Sequence, residues 1–98
     1  SMDRLKEISE VLSTVEDKNQ IKKFLQSILT KKEISDISSR WELVKLLDQS
    51  WSQRQIAKKL GISLCKITRG SKELKKRGSI FKIFIDLFNN KKSQNIKK

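Results

Sequence analysis

The side chains of this chain best placed to do chemistry are cations and hydroxyls at helical spacing between Trp51 and Arg77. Lys66, Thr68 and Arg69 lie close together, and Lys72, Lys75, Lys76 and Arg77 continue the series. Groups of this kind bind anions rather than cleave bonds. A nucleic-acid backbone is the anion that suits them best, because a row of Lys and Arg releases condensed counterions on meeting it. The rest of the inventory argues against catalysis: the chain has no histidine, one cysteine and no glycine-rich phosphate loop. A His/Cys zinc site is excluded on the same grounds. Glu33 and Asp36 lie three apart, but beside Lys31 and Lys32 they read as ordinary exposed carboxylates. No catalytic residue, metal or cofactor is expected.

Two helices are needed to position these cations. Ser52 followed three residues later by Gln55 is a capping-box start for the first. Ile56 and Leu60, four apart, share a helical face, and small Ala57 beside them lets a second helix approach closely. Gly61 falls where the chain must turn, and Ser63 caps a second helix anchored by Ile67. Residues 51–77 therefore predict a helix-turn-helix, the unit that places its second helix in the DNA major groove.

Before this unit, Leu5, Ile8, Val11, Leu12 and Val15 predict a first helix. After a break at Asp17 and Asn19, Ile21, Phe24, Leu25, Ile28 and Leu29 predict a second. Thr30 with Glu33 opens a short helix containing Ile34 and Ile37, and Ser39 with Glu42 starts a fourth bearing Leu43, Val44, Leu46 and Leu47. Asp48, Gln49 and Ser50 lead into the helix-turn-helix, and Arg77, Gly78 and Ser79 lead out of it. The last helix, Ile80 to Phe88, is apolar on nearly every side and wants burial on every side. With the first two helices it reads as a dimer interface; an ordinary core helix in a compact monomer is the plainer alternative. Residues 90–98 lack apolar period and are expected to be a disordered basic tail.

Composition agrees with a single all-α domain over 1–98: no proline, three glycines and no strand-type alternation in 98 residues. Residues 2–50 are expected to be the dimerisation core, 51–77 the helix-turn-helix and 79–89 a C-terminal dimerisation helix. The net charge of +12 is unevenly placed. Residues 1–50 hold nine basic and nine acidic side chains, whereas 51–78 hold nine basic residues against Glu73 alone. Charge gathered on the helix-turn-helix is what a phosphate-binding face requires. No run approaches a membrane span, no secretory signal opens the chain, and the single Cys65 suits a reducing cytoplasm.

From Ser52-Gln53-Arg54 through Lys58-Lys59-Leu60-Gly61 to Ile67-Thr68-Arg69-Gly70-Ser71, the chain resembles the Trp repressor family of tryptophan-responsive bacterial regulators. Leu29-Thr30, Glu33 and Ser39-Arg40 follow the family's order upstream, so the resemblance covers roughly residues 20–77. It implies an intertwined six-helix homodimer that binds L-tryptophan as corepressor and then double-stranded operator DNA, repressing genes of tryptophan biosynthesis or uptake. It also implies that the indole lies between Arg40 and Arg69. Arg69 and the Thr30 hydroxyl would hold the ligand carboxylate, backbone carbonyls near Ser27 and Leu29 the ammonium, and Gly70 would leave room for the ring. Guanidinium planes suit both stacking and carboxylate pairing. On the DNA side the implied contacts are Gln53, Arg54, Lys58, Ser63, Leu64, Cys65, Lys66, Thr68, Lys72 and Lys75. Lys66 is able to donate to guanine O6 and N7 or to a phosphate.

Two departures bear on the ligand. Glu73 stands where well-studied members carry serine near the ligand amino group, and the connector before Ser52 is one residue shorter. The latter resembles regulators of the same superfamily without an established tryptophan response, so a helix-turn-helix regulator indifferent to tryptophan is the first alternative. A basic protein–protein or membrane-surface module is the second. The membrane version requires a basic amphipathic helix with aromatics on its apolar face, and in the basic stretch only Trp51 occurs, at its start. Trp41 and Trp51 read as core aromatics.

Overall fold

A computed structural model describes residues 3–96 of the chain, with side chains for 3–91. Six helices follow one another: α1 (Arg4–Leu12), α2 (Lys18–Ile28), α3 (Lys31–Asp48), α4 (Gln53–Leu60), α5 (Leu64–Lys75) and α6 (Ile80–Ile96). No strand occurs among the described residues. The chain divides into two compact units, Ser1–Asp36 and Ile37–Lys98.

In the first unit, side-chain caps set the helix starts. Asp3 accepts the Lys6 N–H at 2.9 Å, and Asp17 accepts the Asn19 N–H at 2.9 Å. Each satisfies an amide that the helix leaves without a partner. α1 stops at Leu12, short of the expected Val15. Between α1 and α2 lies a groove of about 320 Å³, lined chiefly by Ile8, Val11, Leu12, Val15, Ile21 and Phe24. Leu5, Val11, Phe24, Leu25 and Ile28 remain exposed.

Thr30 and Glu33 form the expected capping box at the head of α3: the Thr30 hydroxyl accepts the Glu33 N–H at 3.1 Å, and Glu33 Oε1 accepts the Thr30 N–H at 2.9 Å. The second box does not form. Ser39 and Glu42 lie inside one continuous helix, which replaces the expected pair of helices. A cap requires its first residue to leave helical geometry, and nothing between Lys31 and Asp48 forces that: the stretch contains neither glycine nor proline.

α3 ends in a Schellman motif. The Trp51 N–H donates to the Leu46 carbonyl at 3.1 Å, and the Ser50 N–H to Leu47 at 3.0 Å. Ser50 takes the left-handed conformation (φ 68°) that glycine usually fills there. This reversal brings Trp51 back to the core of the second unit. Leu43, Leu46, Ile56 and Ile67 are buried in that core, with Leu47, Trp51, Ala57, Leu60 and Ile62 packed around them.

α6 contributes buried Ile85 and leaves Ile80, Phe81, Ile83, Phe84, Leu87 and Phe88 exposed. It is tied to α3 by an edge-on contact of Trp41 with Phe88 at 5.9 Å, by Lys45 over the Phe88 ring, and by Asp48. The Asp48 carboxylate accepts from Lys82 at 3.0 Å and from Asn89 at 3.4 Å. Asp48 and Asp86 hold the Lys82 ammonium above its ordinary pKa. The helix does not stop at Phe88. Residues 90–96, expected to be disordered, continue α6, and the last two residues of that tail lie outside the described residues. Residues 90–96 contain neither glycine nor proline, so nothing in them breaks the helix.

Candidate functional site

The cations of residues 51–78 are carried by α4, α5 and the short segment after them. Three local devices hold the two helices. Ser52 and Gln55 form a complete capping box: the Ser52 hydroxyl accepts the Gln55 N–H at 3.1 Å, and Gln55 Oε1 accepts the Ser52 N–H at 3.0 Å. Gly61 ends α4 in the left-handed conformation (φ 65°, ψ 32°), where its N–H reaches the Ala57 carbonyl at 2.9 Å. Ser63 opens α5 by accepting the Lys66 N–H at 3.4 Å. Fully buried Ile56 and Ile67 lock α4 to α5, and both pack on the α3 leucines. Apolar burial therefore faces inward, and the charged faces are left to solvent.

Arg54, Lys58, Lys66, Lys72 and Lys75 are all exposed. Of the nine basic residues between 51 and 78, only Lys76 forms an ion pair among the described residues, with Glu73 at 2.7 Å. Lys59 lies over the Trp51 ring, 5.3 Å from its centroid. That contact was not anticipated from the sequence, although Trp51 and Lys59 both stood in the motif. Leu64 and Cys65 are exposed on the first turn of α5, an apolar tip beside Lys66. Gln53 and Thr68 are half-buried and face each other: Thr68 Oγ1 donates to Gln53 Oε1 at 3.0 Å. A rigid two-helix platform with exposed, mostly unpaired cations is able to bind a polyanion along its length.

The residues proposed by resemblance for the small ligand fall into two groups. Ser27, Leu29 and Thr30 belong to the first unit: Ser27 is exposed on α2, Leu29 ends that helix in extended geometry, and Thr30 is the α3 cap. The Thr30 hydroxyl oxygen accepts the Glu33 N–H. Hydrogen bonds from the Thr30 backbone and side chain hold the Glu33 carboxyl below its ordinary pKa.

Arg40, Arg69, Gly70 and Glu73 belong to the second unit. Gly70 is buried against α3, where an added Cβ would stand 3.1 Å from Leu43 Cδ2 and 3.7 Å from Leu47 Cδ1. Arg40, Leu43 and Leu47 follow i, i+3, i+7 spacing, so Arg40 lies on the face of α3 that receives Gly70. Arg40 and Arg69 are exposed, and neither forms an ion pair among the described residues. Glu73, four residues after Arg69, pairs with Lys76 instead. No group of metal-ligating side chains and no helix long and apolar enough to cross a membrane occurs among the described residues.

Residues 3–89 match the Trp repressor protein family. Among similar proteins, the Trp operon repressor homolog of Chlamydia trachomatis serovar D is 40% identical over 77 residues, covering 74% of this chain and 82% of the relative. The Trp operon repressor homolog of Xylella fastidiosa strain M23 is 40% identical over 65 residues, covering 65% and 71%. That of Chlamydia caviae is 36% identical over 83 residues, covering 84% and 82%. No solved structure matches the chain significantly.

Proposed function

This chain belongs to the Trp repressor family, a family of DNA-binding regulators rather than enzymes, and from that premise we propose that it is a homodimeric, L-tryptophan-gated transcriptional repressor. α4 and α5 act as its helix-turn-helix, with α5 entering the major groove. The observation that carries this reading is the row of exposed cations on α4 and α5, of which only Lys76 is neutralised by an acid among the described residues. Arg54, Lys58, Lys72 and Lys75 grip phosphates, while Ser63, Leu64, Cys65 and Lys66 present the tip of α5 to base edges. The protein acts in the cytoplasm, where its DNA lies.

The homodimer rests on the apolar side chains that a single chain leaves uncovered. In one unit these are Leu5, Val11, Phe24, Leu25 and Ile28, and in the other Ile80, Phe81, Ile83, Phe84 and Leu87. Fully burying one such side chain contributes about 1.5–3 kcal/mol, so a second copy covering them is strongly favoured. Sedimentation equilibrium at micromolar concentration returning the monomer mass would contradict this. Two-fold symmetry then sets the two α5 helices to meet successive major grooves about 34 Å apart.

For the ligand, family membership supports L-tryptophan bound by Arg40 and Arg69, with Ser27, Leu29, Thr30, Gly70 and Glu73 around it. Binding sets the position of α5 relative to the core. The coupling is reciprocal, and typical values of about 1–3 kcal/mol give roughly a 5–150-fold response. The test is a DNA titration by fluorescence anisotropy with and without millimolar L-tryptophan, using a duplex enriched from a random library on the protein itself. Calorimetric titration of L-tryptophan, with indole-3-propionate and phenylalanine as controls, accompanies it. One saturable site per chain, lost in Arg40→Ala and Arg69→Ala, supports the corepressor. DNA binding indifferent to tryptophan leaves a helix-turn-helix regulator with another signal or none, a reading favoured by the Lys76 bond that already occupies Glu73.

A further inference from the structure

Thr68 and Gln53 lie fifteen residues apart on different helices, yet their side chains are joined by a hydrogen bond of 3.0 Å. Gln53 is the first residue of α4, immediately after the Ser52 cap. Thr68 lies in α5, one residue beyond the fully buried anchor Ile67, and both partners of the bond are half-buried. The Thr68 hydroxyl has a single hydrogen, and it is given to Gln53 Oε1. Gln53 therefore keeps its carbonyl turned toward α5, and among the described residues its amide hydrogens have no partner. The backbone of Thr68 is fixed by the packing of Ile67, so the amide is held by a rigid partner.

We infer that Thr68 is a positioning residue for DNA binding. It contacts no phosphate with its own hydrogen but holds the Gln53 amide so that its NH2 faces the DNA backbone, as a neutral donor beside the cations of α4. Without that bond the amide is free to rotate by half a turn and present its carbonyl oxygen to a phosphate, which repels it. The proposal rests on the DNA-binding reading above. It changes the part that the family resemblance implies for Thr68, from a direct contact to one made through Gln53, and it couples α4 to α5 by a polar link in addition to the Ile56–Ile67 packing.

A double-mutant cycle on the full-length protein tests it, with anisotropy of the library-enriched duplex as readout. Thr68→Val keeps the shape and removes the donor, and it is expected to weaken binding about 3- to 10-fold, the effect of one hydrogen bond. Thr68→Ser restores the donor and most of the affinity. In the Gln53→Ala background, Thr68→Val is expected to change affinity by less than about 2-fold, because the group it acts through is gone. The slope of affinity against salt should be unchanged throughout, since no charge is removed. Equal effects of Thr68→Val in both backgrounds, or no effect in the wild type, overturn the inference and make Thr68 an independent contact or a bystander. Wild-type protein that enriches no duplex and binds none overturns the DNA-binding reading together with it, so the two failures are told apart by the wild-type curve.

Discussion

Gly70 of α5 and Leu43 of α3 meet where the fifth helix packs on the third: a Cβ at Gly70 would stand only 3.1 Å from Leu43 Cδ2, tighter than ordinary van der Waals contact. Both residues are buried, and Leu47 Cδ1 lies 3.7 Å from the same point. The glycine costs helix propensity, about 1 kcal/mol relative to alanine, and its presence is explained by the close approach it permits. Gly70→Val is therefore expected to destabilise the protein by about 1–3 kcal/mol through overpacking. Urea unfolding at fixed protomer concentration checks this; an unchanged midpoint would show that α5 moves away from α3 freely.

The two turns that flank α4 predict opposite signs. Ser50 occupies a left-handed position without glycine's freedom (φ 68°), whereas Gly61 has it (φ 65°). Nothing lies within 4 Å of a Cβ at Gly61, so backbone strain alone decides the effect there. An L side chain in that conformation costs roughly 1–2 kcal/mol. Gly61→Ala should lower stability by about 1 kcal/mol, and Ser50→Gly should raise it by about 0.5 kcal/mol after the added unfolded-chain entropy is subtracted. Thermal melts of the two variants moving in the same direction would contradict the assignment of both turns.

The Thr30–Glu33 capping box carries a pH dependence. Hydrogen bonds from the Thr30 backbone and side chain hold the Glu33 carboxyl below its ordinary value of 4.5. A carboxylate with a lowered folded pKa contributes stability above its unfolded pKa and loses it as pH falls through the folded one. The box should therefore weaken only in acid, from about pH 4.5 downward. A carbon-detected NMR titration of Glu33 is expected to give a midpoint below 4.5, and Glu33→Gln should remove this part of the acid unfolding curve. A midpoint at or above 4.5 would mean that the cap is not closed in solution.

Lys66 lies on the first turn of α5 beside exposed Leu64 and Cys65, where helix-turn-helix proteins read base edges. Lys66→Ala is expected to weaken binding to the enriched duplex by about 1–3 kcal/mol and to relax the preference at one position of the site. Repeating the library selection with the variant reads this directly. Uniform weakening across sequences, with the salt slope reduced by about 1, would assign Lys66 to a phosphate instead.

Much of this molecule was legible in the sequence because its determinants are local. The Ser52–Gln55 and Thr30–Glu33 boxes, Gly61, the Ser63 cap and the Ile56–Ile67 anchors each depend on residues a few positions apart, and each falls where the spacing places it. The concentration of cations on 51–78 is likewise a property of the chain alone. Ser39–Glu42 shows where local rules end. The same signature that caps α4 is overridden inside α3, because a cap forms only where the chain already has reason to leave the helix. The helical continuation through Ile96 was missed in the same way, since weak apolar period does not by itself stop a helix.

What only the tertiary structure decided concerns which distant groups meet. Helical period says that Gly70 and Leu43 each face a core, but not that they face each other. Nor does it say that Asp48 of α3 takes Lys82 of α6, or that Thr68 gives its hydrogen to Gln53. In each case the partners lie far apart along the chain, and the choice falls to the packing that fixes one helix against another. A helix's existence is set by interactions within a few turns; the direction in which its polar groups point is set by the neighbour it is packed against.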